Sequence, residues 1–277
     1  MEKRRLQMCI VNWDSIWKIE KYPMWAENGK VEDYWDKNAV ERFKRISKNR
    51  VSTENQLKML NLKKTDTVLD IGCGTGRLAI PIAKKVRKVY ALDASREMIK
   101  IVKKCVEEEK LNNVQSINTN WESFDINSIE KADVTISYNS LGVYEIRKAL
   151  EKSNEITKRD IYIFTFAGKG EWLDDALAKI VYGKNIELRH SSALIIYNLL
   201  FQMGISADME IKNNHWHSEH ETIDDAVLHI MQFYKLSDEL EEKVREFVIK
   251  RIKKENNKYT LLQNRKIAKI YWRVDNG

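Results

Sequence analysis

Hydrophobic positions change their period along this chain. Short apolar, β-branched runs at 67–71 and 89–92 suit strands buried on both faces. Between them, from about Arg77, the period becomes helical, with Leu78, Ile82 and Val86 on one stripe. Pro81 falls within the first turns of that helix, where a missing N–H is tolerated. The alternation then continues. A helix is expected over 95–109, with Ser95 as N-cap and Met98, Ile99, Val102 and Val106 inward. Strands follow at 114–119, 132–137 and 160–166, with a helix at 145–156 between the last two. Strands alternating with helices predict an α/β fold on a mostly parallel sheet, helices on both faces.

The flanks read differently. Ahead of the first strand, 31–48 has helical spacing, with Tyr34, Trp35, Ala39, Phe43 and Ile46 sharing one side. A second helix is expected over 52–62, with Leu57 and Leu60 inward. The segment to Asn61 is rich in aromatics, including Trp13, Trp17, Tyr22 and Trp25, and Pro23 marks a loop. Its helices either cover the sheet or form a lid that keeps water from a site, and the two are compatible. Beyond 170, helices are expected at 172–182, 191–203, 222–234 and 237–254, and strands at 205–212 and 267–274. The expected organisation is a helical lid over 1–61 and one domain over 62–277, with helical insertions near 170–203 and 221–257.

The candidate chemistry lies where the first strand ends. Gly72, Gly74 and Gly76 alternate there, so the backbone can turn sharply and approach a ligand closely. Asp70 precedes them and Asp93 ends the second strand. Three readings compete. One is a plain tight turn. Another is a dinucleotide site, since Gly74-x-Gly76-x-x-Ala79 with Asp93 fits the looser fingerprint. Asp70 favours the third. A carboxylate there would repel a pyrophosphate by roughly 1 kcal/mol even at the dielectric of water. It would welcome a cationic nucleoside that carries no phosphate.

The sequence Val68-Leu-Asp-Ile-Gly-Cys-Gly-Thr-Gly76, with Ala91-Leu-Asp93 after it, resembles the class I S-adenosylmethionine-dependent methyltransferases, a Rossmann-like family. More weakly, the resemblance extends over 57–166. It implies a seven-stranded sheet with an antiparallel last strand and S-adenosyl-L-methionine as co-substrate. The implied cofactor residues are Asp70, Gly72, Cys73, Gly74, Gly76, Asp93, Ala94, Met98, Asn120, Trp121 and Tyr138. Asp70 would face the amino-acid end and Asp93 the ribose hydroxyls. Met98 would lie under the adenine, with Asn120 and the Trp121 backbone at its edge; core packing is the competing role of Met98 and Trp121. Tyr138, Asn139, Tyr144 and Trp35 are candidates for orienting the acceptor, and no residue is assigned as catalytic. The Asn-Pro-Pro-Tyr motif of amino-group methylating enzymes is absent at Tyr138-Asn-Ser-Leu-Gly142.

Composition narrows the partners. The 277 residues, 43% hydrophobic and 32% charged, suit one globular domain with insertions. No apolar run approaches a membrane span, and none follows the charged start, so a cytoplasmic location is expected. The net charge of +7 would permit nucleic acid, but the basic residues are interspersed with acids. Cys9, Cys73 and Cys105 build neither a disulfide framework nor a zinc pattern. His215, His217 and His220 are the one metal-like cluster, and a polar surface turn is favoured over a metal site. The aromatic lid favours a small-molecule acceptor. RNA or protein methylation, and cofactor binding without turnover, are the alternatives.

Overall fold

A computed structural model describes residues 11–21, 50–171, 173–255 and 258–274, with 33, 35–37, 39, 40 and 43. Cys9, Tyr22, Pro23, Trp25, Tyr34 and Ile46 lie outside the described residues, as does most of the helix expected over 31–48. Those of its residues that are described are helical.

The parallel half of the sheet follows the sequence pattern. Strand β1 (Thr67–Ile71) is buried at all five positions, as its unbroken apolar run requires. It pairs in parallel with β2 (Lys88–Asp93) on one side and β4 (Ala132–Tyr138) on the other. Outside these lie β3 (Val114–Asn118) beside β2 and β5 (Thr157–Phe166) beside β4. The chain therefore changes direction across the sheet at β1, and a crevice opens at the carboxyl ends of β1, β2 and β4.

Two cores sandwich the sheet. On one face, α1 (Trp13–Glu20), α5 (Ile146–Ile156) and α7 (Ser192–Gln202) cover Leu69, Ile71, Leu92, Ile161, Ile270 and Trp272. On the other, α2 (Arg50–Leu57), α3 (Ala79–Ala83) and α4 (Arg96–Glu108) cover Val68, Val89, Val134, Ile136 and Phe164. Ser95 caps α4 as expected, its side chain accepting from Met98 N at 3.1 Å. Helix α3 is only five residues long, shorter than the stripe from Arg77 to Val86 predicts, because the chain must turn straight into β2. Helix α2 ends at Leu57, although Leu60 still packs inward.

The antiparallel half is longer than the sequence indicates. Strand β6 spans Asp208–His220 and β8 spans Lys258–Arg273, in the order β3-β2-β1-β4-β5-β8-β6. Strand β5 pairs with β8 only as far as Phe166 opposite Ile267, so β6 and β8 run on as a ribbon past the carboxyl end of β5. The helix expected over 237–254 stops sooner: α9 is Glu241–Ile249, and Ile252–Glu255 form β7, an eighth strand on β8. Helices α6 (Asp175–Tyr182), α8 (Ile223–Phe233) and α9 close over the ribbon in a third core around Leu177, Ile230, Val244, Phe247 and Leu261. The insertions thus rise on the crevice side of the sheet. His215 and His217 lie on one exposed face of β6 and His220 on the buried other face, so the expected turn is a strand. Among the described residues no group of three or more His, Cys, Asp or Glu could hold a metal. None of their helices is long and apolar enough to cross a membrane.

Ile230 is fully buried in the third core and touches neither of the other two. Ile230→Ala should cost about 3 kcal/mol in chemical denaturation. Because that core is separate, calorimetric cofactor affinity should stay within about twofold, by the additivity of distant sites.

Candidate functional site

The end of β1 meets the crevice as a bare bend. Gly72, Gly74 and Gly76 have φ of +67°, +56° and +82°, where an L side chain is strained. A Cβ on Gly72 would lie 2.2 Å from Ser140 Cβ, so this glycine allows the loop after β4 to touch the bend. A Cβ on Gly74 would meet nothing within 4 Å, which leaves open space over the backbone there.

Asp70 sits under this bend, 2% exposed. One carboxylate oxygen accepts from the Ala79 N–H, and Oδ2 is buried with no partner. Burial pushes its pKa up to about 7; the Arg77 guanidinium opposes the rise and Asp93 adds to it. Two further orphans lie alongside, Thr75 Oγ1 in the bend and Asn139 Oδ1 just past β4. Asn139 itself has φ +51°. Three of the five buried polar atoms without a partner among the described residues thus belong to this bend and the loop opposite it. A ligand with donors and positive charge would satisfy them. Burial, then Asp70 and Asp93, also raises the Cys73 thiol well above its usual range, so it stays protonated and acts as a small packing group.

Asp93 is placed as expected but partly engaged. Its Oδ2 accepts from Gly74 N at 2.8 Å and its Oδ1 from Ser95 N at 2.9 Å. A carboxylate oxygen can accept more than one hydrogen bond, as a ribose diol would require. Ala94 is half-buried beside it, and its carbonyl accepts from Asn118 Nδ2 at 2.9 Å. Met98, in the first turn of α4, is 2% exposed. The side-chain carbonyl of Asn120, expected to accept from adenine, instead closes a turn, accepting from Ser123 N at 2.8 Å and Ser123 Oγ at 2.7 Å. That correction follows from exposure, since a short amide at a turn finds local donors first. Trp121 is core: it is 4% exposed, stacks on Phe124 and donates from Nε1 to Ala149 O at 3.2 Å.

Arg77 was not singled out in the sequence. Its guanidinium lies 4.4 Å above the Tyr138 ring and binds Gln56 Oε1 and Thr53 Oγ1 of α2, while Gln56 Nε2 donates to Tyr138 Oη at 2.9 Å. A cation directly after the glycines was the available signal; only the short turn into α3 brings it round to Asp70 and Tyr138. Asp36 of the amino-terminal segment accepts from Ser95 Oγ and from Glu97 N at 3.1 Å, at the amino end of α4. On the other side of the crevice, α1 crosses the loops after β4 and β5. Trp17 Nε1 donates to Val143 O at 2.8 Å, and Lys18 Nζ meets Glu145 at 3.0 Å. Lys21 Nζ meets the buried Glu171 at 2.6 Å, and Glu20 holds His190.

Known proteins share these features. The sequence profile of the family described as "Methyltransferase domain" matches residues 68–160. A Methanocaldococcus jannaschii protein named as a probable cobalt-precorrin-6B C(15)-methyltransferase (decarboxylating) is 31% identical over 139 residues, 47% of this chain and 75% of that protein. An uncharacterized protein of Haemophilus influenzae is 25% identical over 245 residues, 87% of this chain and 89% of its own length. The magnesium protoporphyrin IX methyltransferase of Synechocystis, solved with bound S-adenosylmethionine, has the same fold at 15% identity and a TM-score of 0.50, over 95% of this chain and 98% of that one. A bare bend between two aspartates, in this strand order and with these relatives, places the chain in the class I S-adenosylmethionine-dependent methyltransferases.

Proposed function

We propose that the chain methylates a small molecule held between the loops after β4 and β5 and roofed by α1. The observation that carries this reading is the way α1 is tied down. An indole hydrogen bond, the Lys18–Glu145 pair and the buried Lys21–Glu171 pair lash it across both loops. Such a roof favours a closed pocket over an open groove for a polymer. It also supports residues 1–61 as a lid, to which Asp36 and Gln56 add contacts on the cofactor side.

In this reading Asp70 takes the cofactor ammonium, Asp93 the ribose hydroxyls, and the Gly72–Gly74 backbone the amino-acid portion. Ala94 and Met98 line the adenine, and the Trp121 backbone reaches its edge. S-adenosylmethionine supplies an activated methyl, whose carbon bonds to the acceptor lone pair as the carbon–sulfur bond breaks onto sulfur. The protein's work is then alignment and exclusion of water. Asn139 and Tyr138 stand at the end of β4, where they can orient the acceptor. The proton lost by the acceptor passes to solvent, so no strong base is required.

Release of S-adenosylhomocysteine should depend on a small-molecule acceptor; dependence on RNA or protein alone would overturn this assignment. Cofactor binding needs the Asp70 carboxylate ionised, so calorimetric affinity should fall about tenfold per pH unit below about 7. Asp70→Asn should weaken binding at least about tenfold, the value of one lost charged contact. The raised pKa means that the ligand-free protein loses stability as pH climbs from the ordinary carboxylate range towards 7. Asp70→Asn should therefore melt higher than the parent at pH 8, and the difference should shrink as pH falls below 7 and vanish below about pH 4.

A further inference from the structure

Past the end of β5, the ribbon carries a guanidinium with no counter-ion among the described residues. Arg96, Arg147 and Arg189, outside the ribbon, have no carboxylate partner among those residues either, and the Nε of Arg189, over the Tyr182 ring, is likewise buried and unpartnered among them. Arg87, Arg159, Arg245, Arg251 and Arg273 each lie within ion-pair distance of a carboxylate, and Arg77 faces Asp70. Arg265 has no such partner among the described residues. It is half-buried on β8, and its guanidinium lies over the Trp216 ring at 5.1 Å. Its Nη2 donates to Tyr234 Oη and Gln263 Oε1, each at 3.0 Å. Nε is buried without a partner, and Nη1 makes no hydrogen bond among the described residues. The nearby Asp174 is already engaged by the N–H groups of Ala176 and Asn264 and by Arg251.

The strand register relates this group to the methyl-transfer end. Tyr138 pairs with Phe164, and Phe164 with Lys269 of β8. Arg265 lies four residues further along β8 on the same face, with Ile267 and its partner Phe166 between as an apolar floor. Two strand spacings and four residues put the Cα atoms of Tyr138 and Arg265 about 17 Å apart, and the guanidinium leans on from there towards Gln263 and Trp216. A guanidinium held over an indole and by two neutral oxygens, with donors left over, suits an oxyanion.

We infer that Arg265 anchors an oxyanion, carboxylate or phosphate, at the end of an extended acceptor distal to its reacting atom; this rests on the small-molecule reading above. The test titrates the full-length protein with sodium phosphate, sodium acetate or sodium chloride at constant ionic strength. The readout is the Arg265 Nε–H resonance, identified by its absence from Arg265→Lys or, should that variant not fold, by its nuclear Overhauser contact with the Trp216 ring. A saturable shift in the millimolar range with phosphate or acetate, and none with chloride, is expected; which of the two acts tells phosphate from carboxylate. An unmoved resonance, or an equal response to chloride, overturns the inference. Methyl-transfer assays are separate: a saturable shift in a protein that methylates only polymers would leave the anion site and remove the small-molecule reading.

Discussion

A buried carboxylate with one oxygen unanswered governs the architecture around it. Asp70 is held in the sheet by a strand that is covered on both faces, and it cannot move towards water. Desolvation at that position is unfavourable by itself, and the Ala79 N–H and the Arg77 charge offset only part of it. Neighbouring features follow from the same constraint. The glycines keep the backbone low above the carboxylate. Arg77 is fixed over Tyr138 by α2, and the orphaned Thr75 and Asn139 oxygens border the same hollow. The fold maintains a charge deficit that a cationic co-substrate fills.

Around that centre, two additions rise on the crevice side of the sheet. Helix α1 of the amino-terminal segment crosses the loops after β4 and β5. The Lys21–Glu171 pair within it is too well buried to be a large source of net stability, because both charges were taken from water. Its value is directional: Glu171, at φ +57°, also receives the Ser192 N–H and hydroxyl, so one carboxylate sets α1, the loop after β5 and the start of α7 together. The ribbon of β6 and β8 projects beside them. Its own core lets it project past β5 without relying on the sheet beneath.

Legibility from the sequence varied with the kind of signal. The parallel strands were readable because burial on both faces writes an unbroken apolar run, and each is followed by a helix of clear period. The ribbon was not. The stretch Asp208–His220 is mostly polar, since one face is in solvent and an edge strand carries little hydrophobic record. In the stretch 237–254 the apolar spacing at Val244, Phe247 and Val248 runs into Ile252, which mimics another helical turn, although Ile252 pairs with Leu261 in a strand. Asn120 was given an adenine contact that Ser123 pre-empts, and Arg77 was passed over. Both outcomes depend on neighbours that lie in space and not only in sequence.

The residues alone determined the chemistry of the bend: three glycines that allow positive φ, an acid before them that disfavours phosphate, and an acid after them suited to a diol. These are local properties of residue type and spacing. Only the tertiary structure decided which charges are answered. Asp70 and Arg265 look no different in the sequence from any other Asp or Arg. Burial and the positions of distant partners, set by the packing of helices around the sheet, leave one short of a cation and the other short of an anion.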